Sequence, residues 1–292
     1  MTDAPQRPLA AALWMLGSAL AFTAMAIAGR ELAGRHDTFE IMATRSAIGL
    51  VLVCTIAAAL GRLQEIRTDR LAQHIIRNLF HFTGQNLWFY AITLIPLAQV
   101  FALEFTSPIW VILLSPLVLG ERLTWPRIIA AALGFAGILI VTRPDFTHLN
   151  AGTVTAAASA IFFAATVLMT KALTRGESIV SILFWLTLMQ LVLGLICTFW
   201  DGQVHWPDAQ TLPWLALIGL GGVTAHLSLT SALSLAPASM VVPVDFLRLP
   251  LIAIIAALAY GEAIDPWVII GGAVIFVGNW VNLAFARKAA HR

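Results

Sequence analysis

The sequence is short of charge. Only 11% of its 292 residues are Asp, Glu, Lys or Arg, against about 25% in a soluble domain. With 60% hydrophobic residues, too little polar surface remains to cover a water-facing globule. A soluble protein is excluded and an integral membrane protein is expected. Cysteine is scarce too: Cys54 and Cys197 both lie inside apolar stretches, which leaves a disulfide framework unsupported. Two-residue alternation is missing, which excludes a β-barrel. There is no metal-ligand cluster, phosphate loop or nucleophile–base motif, so no metal, no cofactor and no enzymatic chemistry are expected. Nothing encodes an ATPase, so any transport must draw on a gradient.

What the chain does have is a repeat. The stretch from Tyr90 to Val141 returns from Ser231 to Asn282 under an ungapped shift of 141 residues. Pro96 falls on Pro237, Phe105 on Phe246, Gly120-Glu121 on Gly261-Glu262 and Gly137 on Gly278, while Glu104 falls on the acid Asp245. Earlier, Ser18 lands on Ser159, Phe22 on Phe163 and Arg30 on Lys171. Scattered Leu and Ala matches arise by chance between apolar helices, but one register that pairs Pro, Gly-Glu and an acid with their own kind marks duplication. Two units are expected, 1–141 and 142–292.

Apolar runs of ~20 residues each span a bilayer. Ten are read here: Leu9–Ala28, Phe39–Leu60, Leu71–Ile95, Leu97–Leu119, Trp125–Val141, Ala151–Leu173, Ile179–Phe199, Leu212–Leu235, Ala238–Ala259 and Pro266–Ala286. No cleavable signal is evident ahead of the first, which follows Arg7 and Pro8. An odd five per unit means the two copies enter the membrane in opposite senses, an all-α fold of two inverted five-helix repeats. With the N-terminus inside, the inner loops hold Arg7, Arg62, Arg67, Arg70, Arg122, Arg127, Lys171, Arg175, Arg287, Lys288 and Arg292, and the outer loops only Arg30, Arg35 and Arg143. That asymmetry puts both termini in the cytoplasm, and topology rather than nucleic acid accounts for the basic loops. Trp125, Trp200, Trp206, Trp214, Trp267 and Trp280 sit near span ends as interfacial anchors. Prolines at 96 and 237 pin two very short connections, which serve as helix punctuation or as pivots.

Polar groups within spans are expensive and mark candidate sites. His81, Gln85 and Trp88 share one face of the third span with Asn78. Gln85 and His226 are repeat equivalents, so the inverted arrangement sets them across the pseudo-axis. With Phe101 and Phe163 they form the candidate substrate site. Gln and His hydrogen-bond a carboxylate or an amine, and aromatic faces attract an ammonium. Packing contacts between helices are the bland alternative. Arg45, Glu104, Asp245 and Arg248 form a formally neutral intramembrane charge network, read equally as static ion pairs or as a gate or proton carrier. The fifth and tenth spans are rich in Gly and Ala and almost free of buried polar groups, which suits close packing. The chain is expected to be a monomer or a weak homodimer through them.

The run YAITLIPLAQVFALEFTSPIWVILLSPLVLGERLTW, followed by GFAGILIV, and its second copy SLAPASMVVPVDFLRLPLIAIIAALAYGEAID resemble the repeated domain of the drug/metabolite transporter (DMT) superfamily, EamA-type exporters. The chain is most similar to the bacterial aromatic amino acid exporter group. The resemblance implies ten helices, both termini inside, and export of small metabolites across the bacterial inner membrane. The function expected is secondary export of aromatic and other neutral amino acids by alternating access at a central cavity, with the substrate and the lipid bilayer as partners. A passive channel or a membrane-embedded enzyme is the alternative. Polarity concentrated in the middle of spans three, four, eight and nine favours a closed central site over a channel.

Overall fold

The computed structural model describes residues 7–95, 97–142, 150–200, 204–248, 251, 254 and 266–290. Its helices are α1 (Pro8–Glu31), α2 (Thr38–Ala59), α3 (Leu71–Leu94), α4 (Leu97–Glu104), α5 (Ser107–Leu119), α6 (Trp125–Thr142), α7 (Ala151–Leu173), α8 (Ile179–Thr198), α9 (Leu212–Leu235), α10 (Ala238–Val241) and α11 (Pro266–Ala290). A 3-10 turn covers Leu63–Glu65 and a 3-10 segment, Val242–Leu247, follows α10 directly. No strand occurs among the described residues.

Local chemistry sets the ends of these helices. Asp37 accepts from the Glu40 backbone N–H while Glu40 reaches back to the Asp37 N–H, a capping box that starts α2. Asn150 caps α7 and Ser178 caps α8 through their side chains. Ile95 and Ala236, the residues before the two pinning prolines, are both extended, as the ring of the following proline requires. Pro96 itself lies outside the described residues. Gly120 closes α5 with φ +66°, a left-handed conformation that glycine adopts without a Cβ clash.

Among the described residues, five helices, α1, α2, α7, α8 and α9, are long and apolar enough to cross a membrane. The 24-residue α3 is as long, but it turns His74, Arg77, Asn78, His81 and Gln85 into the bundle. Many large apolar side chains face outward instead, Leu117, Leu13 and Val51 among them. Trp125, Trp200, Trp206, Trp267 and Trp280 are exposed, whereas Trp214 is half-buried.

Helix pairing carries the repeat into three dimensions. The main lengthwise contacts join α1 to α9, α3 to α7, α2 to α8 and α6 to α11. Exchanging the two copies turns the first pair into the second and returns the last two to themselves. α6 and α11 pack closely because their glycines face each other. A Cβ on Gly137 would meet Ile275 Cγ1 at 2.6 Å and the Gly271 carbonyl at 2.7 Å. Small residues of these helices therefore meet each other within one chain.

The fourth and ninth spans are not continuous helices. Turn residues Phe105 and Thr106 separate α4 from α5. Pro108 has no N–H to give to the Glu104 carbonyl, and the Thr106 N–H bonds Leu103 three residues back. In the second copy the chain runs as 3-10 helix up to the equivalent place, from Val242 to Leu247, with Pro243 in its first turn. Residues 255–265, which include the end of the ninth span, lie outside the described residues.

Candidate functional site

Both breaks fall beside an acid. Glu104 ends α4, and Asp245 lies in the 3-10 segment. Arg248 Nη2 donates to Glu104 Oε1 at 2.5 Å and to Asp245 Oδ2 at 2.8 Å. The second Glu104 oxygen accepts from the Trp88 indole N–H at 2.6 Å. The Arg248 guanidinium lies over the rings of Phe105, Phe22 and Phe101, at 4.9, 5.3 and 5.8 Å from their centroids, near enough for cation–π attraction. Two carboxylates against one guanidinium leave the cluster one formal negative charge in excess. Among the described residues, the buried Asp245 Oδ1 and Arg248 Nε have no hydrogen-bond partner.

This cluster lies in the wall of a central cavity. About 780 Å³ of it is free of atoms, its open mouth included. Its walls are built from repeat-related positions: Phe22 with Phe163, Met25 with Thr166, Gln85 with His226, Trp88 with Leu229, Glu104 with Asp245, and Ser107 with Arg248. Both repeats therefore contribute matching positions to the cavity. His81 and His226 stand edge to face with ring centroids 4.7 Å apart, and Phe22 packs edge-on to His226 at 5.5 Å. All four imidazole nitrogens of this histidine pair are buried and have no hydrogen-bond partner among the described residues.

Five of the six candidate substrate residues, His81, Gln85, Trp88, Phe163 and His226, reach this cavity together. Phe101 does not. It is fully buried behind the wall, 6.1 Å from the Trp88 ring and 6.2 Å from Phe105, which takes the place at the surface. Of the charge network, Glu104, Asp245 and Arg248 come together, but Arg45 stands apart. Among the described residues it meets no carboxylate; its Nη1 donates to Gln85 Oε1 at 3.2 Å and to Met42 Sδ at 3.5 Å. The formally neutral foursome is thus a trio plus a separate guanidinium. Sequence reasoning also passed over Arg77, 1% exposed, which donates to Thr170 Oγ1 at 3.0 Å and Asn78 Oδ1 at 3.3 Å. A basic residue seven positions into an apolar span was the signal available.

A second set of contacts closes the bundle at the end where α9 stops and α10 starts. Glu121, from the repeated Gly-Glu pair, accepts from the backbone N–H groups of Ala238 (2.9 Å) and Ser239 (3.2 Å) and from the Ser239 hydroxyl (2.6 Å). Lys171 donates to the carbonyls of Leu233 and Ala236 at the C-terminus of α9. A loop of the first copy therefore holds the pinned turn of the second.

Known proteins with this sequence pattern decide the family. The description "EamA-like transporter family" fits the chain twice, over residues 9–143 and 150–284, and the two stretches are again 141 residues apart. The chain belongs to the EamA-like transporter family. It is 30% identical to the riboflavin transporter of Vibrio cholerae over 284 residues, 94% of each chain. It is 25% identical to the S-adenosylmethionine uptake transporter of Rickettsia conorii, covering 99% of this chain and 97% of that one. The riboflavin transporter of Rhizobium johnstonii is 30% identical over 273 residues. A solved crystal structure superposes with a TM-score of 0.79 at 20% identity, covering 96% of this chain and 98% of its own, which establishes the shared fold. This EamA protein is a multi-pass membrane transporter. The DMT resemblance holds, while these relatives are named for riboflavin and S-adenosylmethionine rather than for aromatic amino acids.

Proposed function

We propose that this EamA protein is a secondary transporter that carries a small metabolite with a planar ring and a polar end through the central cavity. One observation supports the reading most: Trp88, Phe22, Phe105 and Phe163 surround an ion cluster with polar atoms unpartnered among the described residues, at the point where two spans break. Ring faces take a flat apolar group, and the free atoms of Asp245, Arg248 and the histidines take its polar substituents. Riboflavin, S-adenosylmethionine and aromatic amino acids all answer that description, so the expected amino acid export is one case of a wider class. The relatives named for uptake favour inward transport of a ring-bearing nutrient as a second direction to test. The ten spans, the units 1–141 and 142–292, their inverted entry, the cytoplasmic termini and the bacterial inner membrane are part of the same proposal, because alternating access requires two copies that exchange roles about a central site.

The test is transport into proteoliposomes of labelled riboflavin, S-adenosylmethionine, tryptophan and alanine, each with and without a pH gradient. At least one ring-bearing compound is expected to accumulate above protein-free vesicles, with alanine carried poorly. Transport of none of the three, or of alanine equally well, overturns the reading.

A further inference from the structure

Beside the main cavity lies a narrower one, walled by Arg45 and Ser46 of α2, Thr187 and Gln190 of α8, and Gly222 and His226 of α9. About 290 Å³ of it is free of atoms, its open mouth included. His226 belongs to both cavities, and Gln85, which faces the main one, accepts the hydrogen bond of Arg45. The two spaces are neighbours across one imidazole and one amide.

The polar groups of this neighbourhood are mismatched. Arg45 and Arg77 are 5% and 1% exposed, and among the described residues neither has a carboxylate partner; their acceptors are an amide, a thioether, a hydroxyl and a second amide. Both hydrogen bonds of Arg45 leave from Nη1. A guanidinium stays charged in proteins, and a buried charge without a counter-charge is costly. The carboxylates of the core, Glu104 and Asp245, are engaged by Arg248. A neutral imidazole still offers one N–H, and both nitrogens of His226 are buried without a partner among the described residues. The backbone is shaped around the rest of the fork: a Cβ on Gly222 would lie 2.5 Å from Arg45 Nε, so only glycine lets the guanidinium rest against α9.

We infer that Arg45 and His226 form a seat for an anionic group of carboxylate size, at the edge of the substrate cavity. The Arg45 fork offers two N–H groups in the plane that matches a carboxylate, and His226 adds a donor from the side of the main cavity. The seat lies across the His226–Gln85 wall from a cluster with excess negative charge. A molecule reaching both finds a cationic pocket at one end and an anionic one at the other. The inference deepens the proposed transport reading by naming a substrate class, zwitterions with a carboxylate, but the seat itself stands on the guanidinium and the cavity. The anion is either the substrate's own carboxylate or a resident small ion such as chloride.

Thermal unfolding of the purified full chain in detergent decides whether the seat exists. Sodium acetate and sodium chloride are titrated against sodium HEPES, a far larger anion than either, at constant ionic strength. Saturable stabilisation of the wild type by acetate or chloride, lost in Arg45→Gln, is expected. Gly222→Ala keeps the charge but fills the space, and it should abolish the same effect if Arg45→Gln does not fold. No stabilisation of the wild type, or an equal shift in the folded variants, overturns the inference. Uptake of tryptophan against tryptamine, which has the same ring without the carboxylate, then identifies the source. A wild-type preference for tryptophan of tenfold or more (~1.4 kcal/mol per factor of ten) that vanishes in Arg45→Gln assigns the seat to the substrate. Equal uptake alongside Arg45-dependent stabilisation assigns it to a free ion. If neither compound crosses, the amino acid part of the transport reading falls, while the thermal shift still decides the seat.

Discussion

At the residue scale, the ion cluster is the most consequential group in the chain. Removing the Arg248 charge leaves Glu104 and Asp245 side by side in the bundle without a cation. Breaking a buried pair in this way costs ~3–5 kcal/mol, so Arg248→Met should lower the unfolding temperature sharply, as scanning calorimetry in detergent would show. Glu104→Gln is milder, because Asp245 still holds Arg248. If Glu104 carries the coupling proton, that variant loses accumulation driven by a pH gradient yet keeps substrate exchange; unchanged pH dependence in both Glu104→Gln and Asp245→Asn leaves the cluster a structural role. Trp88 is tied to the same carboxylate. Trp88→Phe keeps a ring but loses an indole donor to a charged acceptor, an interaction of ~1.5–3 kcal/mol. His81→Ala and His226→Ala should reduce transport while the protein still inserts and purifies. Wild-type rates in both would remove the histidines from the site.

At the scale of elements, the short helices after the pinning prolines are the weak points of the architecture. α10 has only four residues, too few to form by propensity alone, and it begins where Glu121 reaches over from the first copy. Glu121→Gln keeps the shape of the side chain but removes the charge that strengthens these bonds. Loss of a cap is worth ~0.5–2 kcal/mol, so a fall in stability of that size is expected, together with faster hydrogen exchange at Ala238 and Ser239. Normal protection at those two amides in the variant would mean that Glu121 does not hold the turn. The contact of α6 with α11 makes a second prediction. Gly137→Leu drives a side chain into Ile275 and the Gly271 backbone, an overpacking of at least ~1–3 kcal/mol, and should impair folding without altering substrate preference in whatever fraction folds.

At the scale of the whole molecule, topology is the test with the widest reach. Reporters active only in the periplasm or only in the cytoplasm, fused after each loop, should place both termini in the cytoplasm and residues 142–150 outside. A periplasmic C-terminus would remove the ten-span count and the inverted repeat together. How the sequence and the fold divide the evidence follows from range. Composition, the 141-residue register and the apolar runs are local or periodic quantities, so the membrane class, the duplication and the family are legible in the chain itself. The facing of His81, Gln85 and Trp88 was legible too, because helical periodicity turns spacing into direction. Contacts between spans are not periodic, and tertiary structure alone decided those. Arg45 looked like the fourth member of a neutral cluster because charges were summed without distances, whereas the fold puts it against Gln85. Phe101 and Phe105 lie one turn apart on the same span, and the break set by Pro108 brings the second, not the first, to the cavity. The proline was visible in the sequence. Its consequence depended on Arg248, Glu104 and Asp245 meeting at the gap, and only packing the two copies together brings Glu104 to Asp245 and Arg248, which lie more than a hundred residues further along the chain.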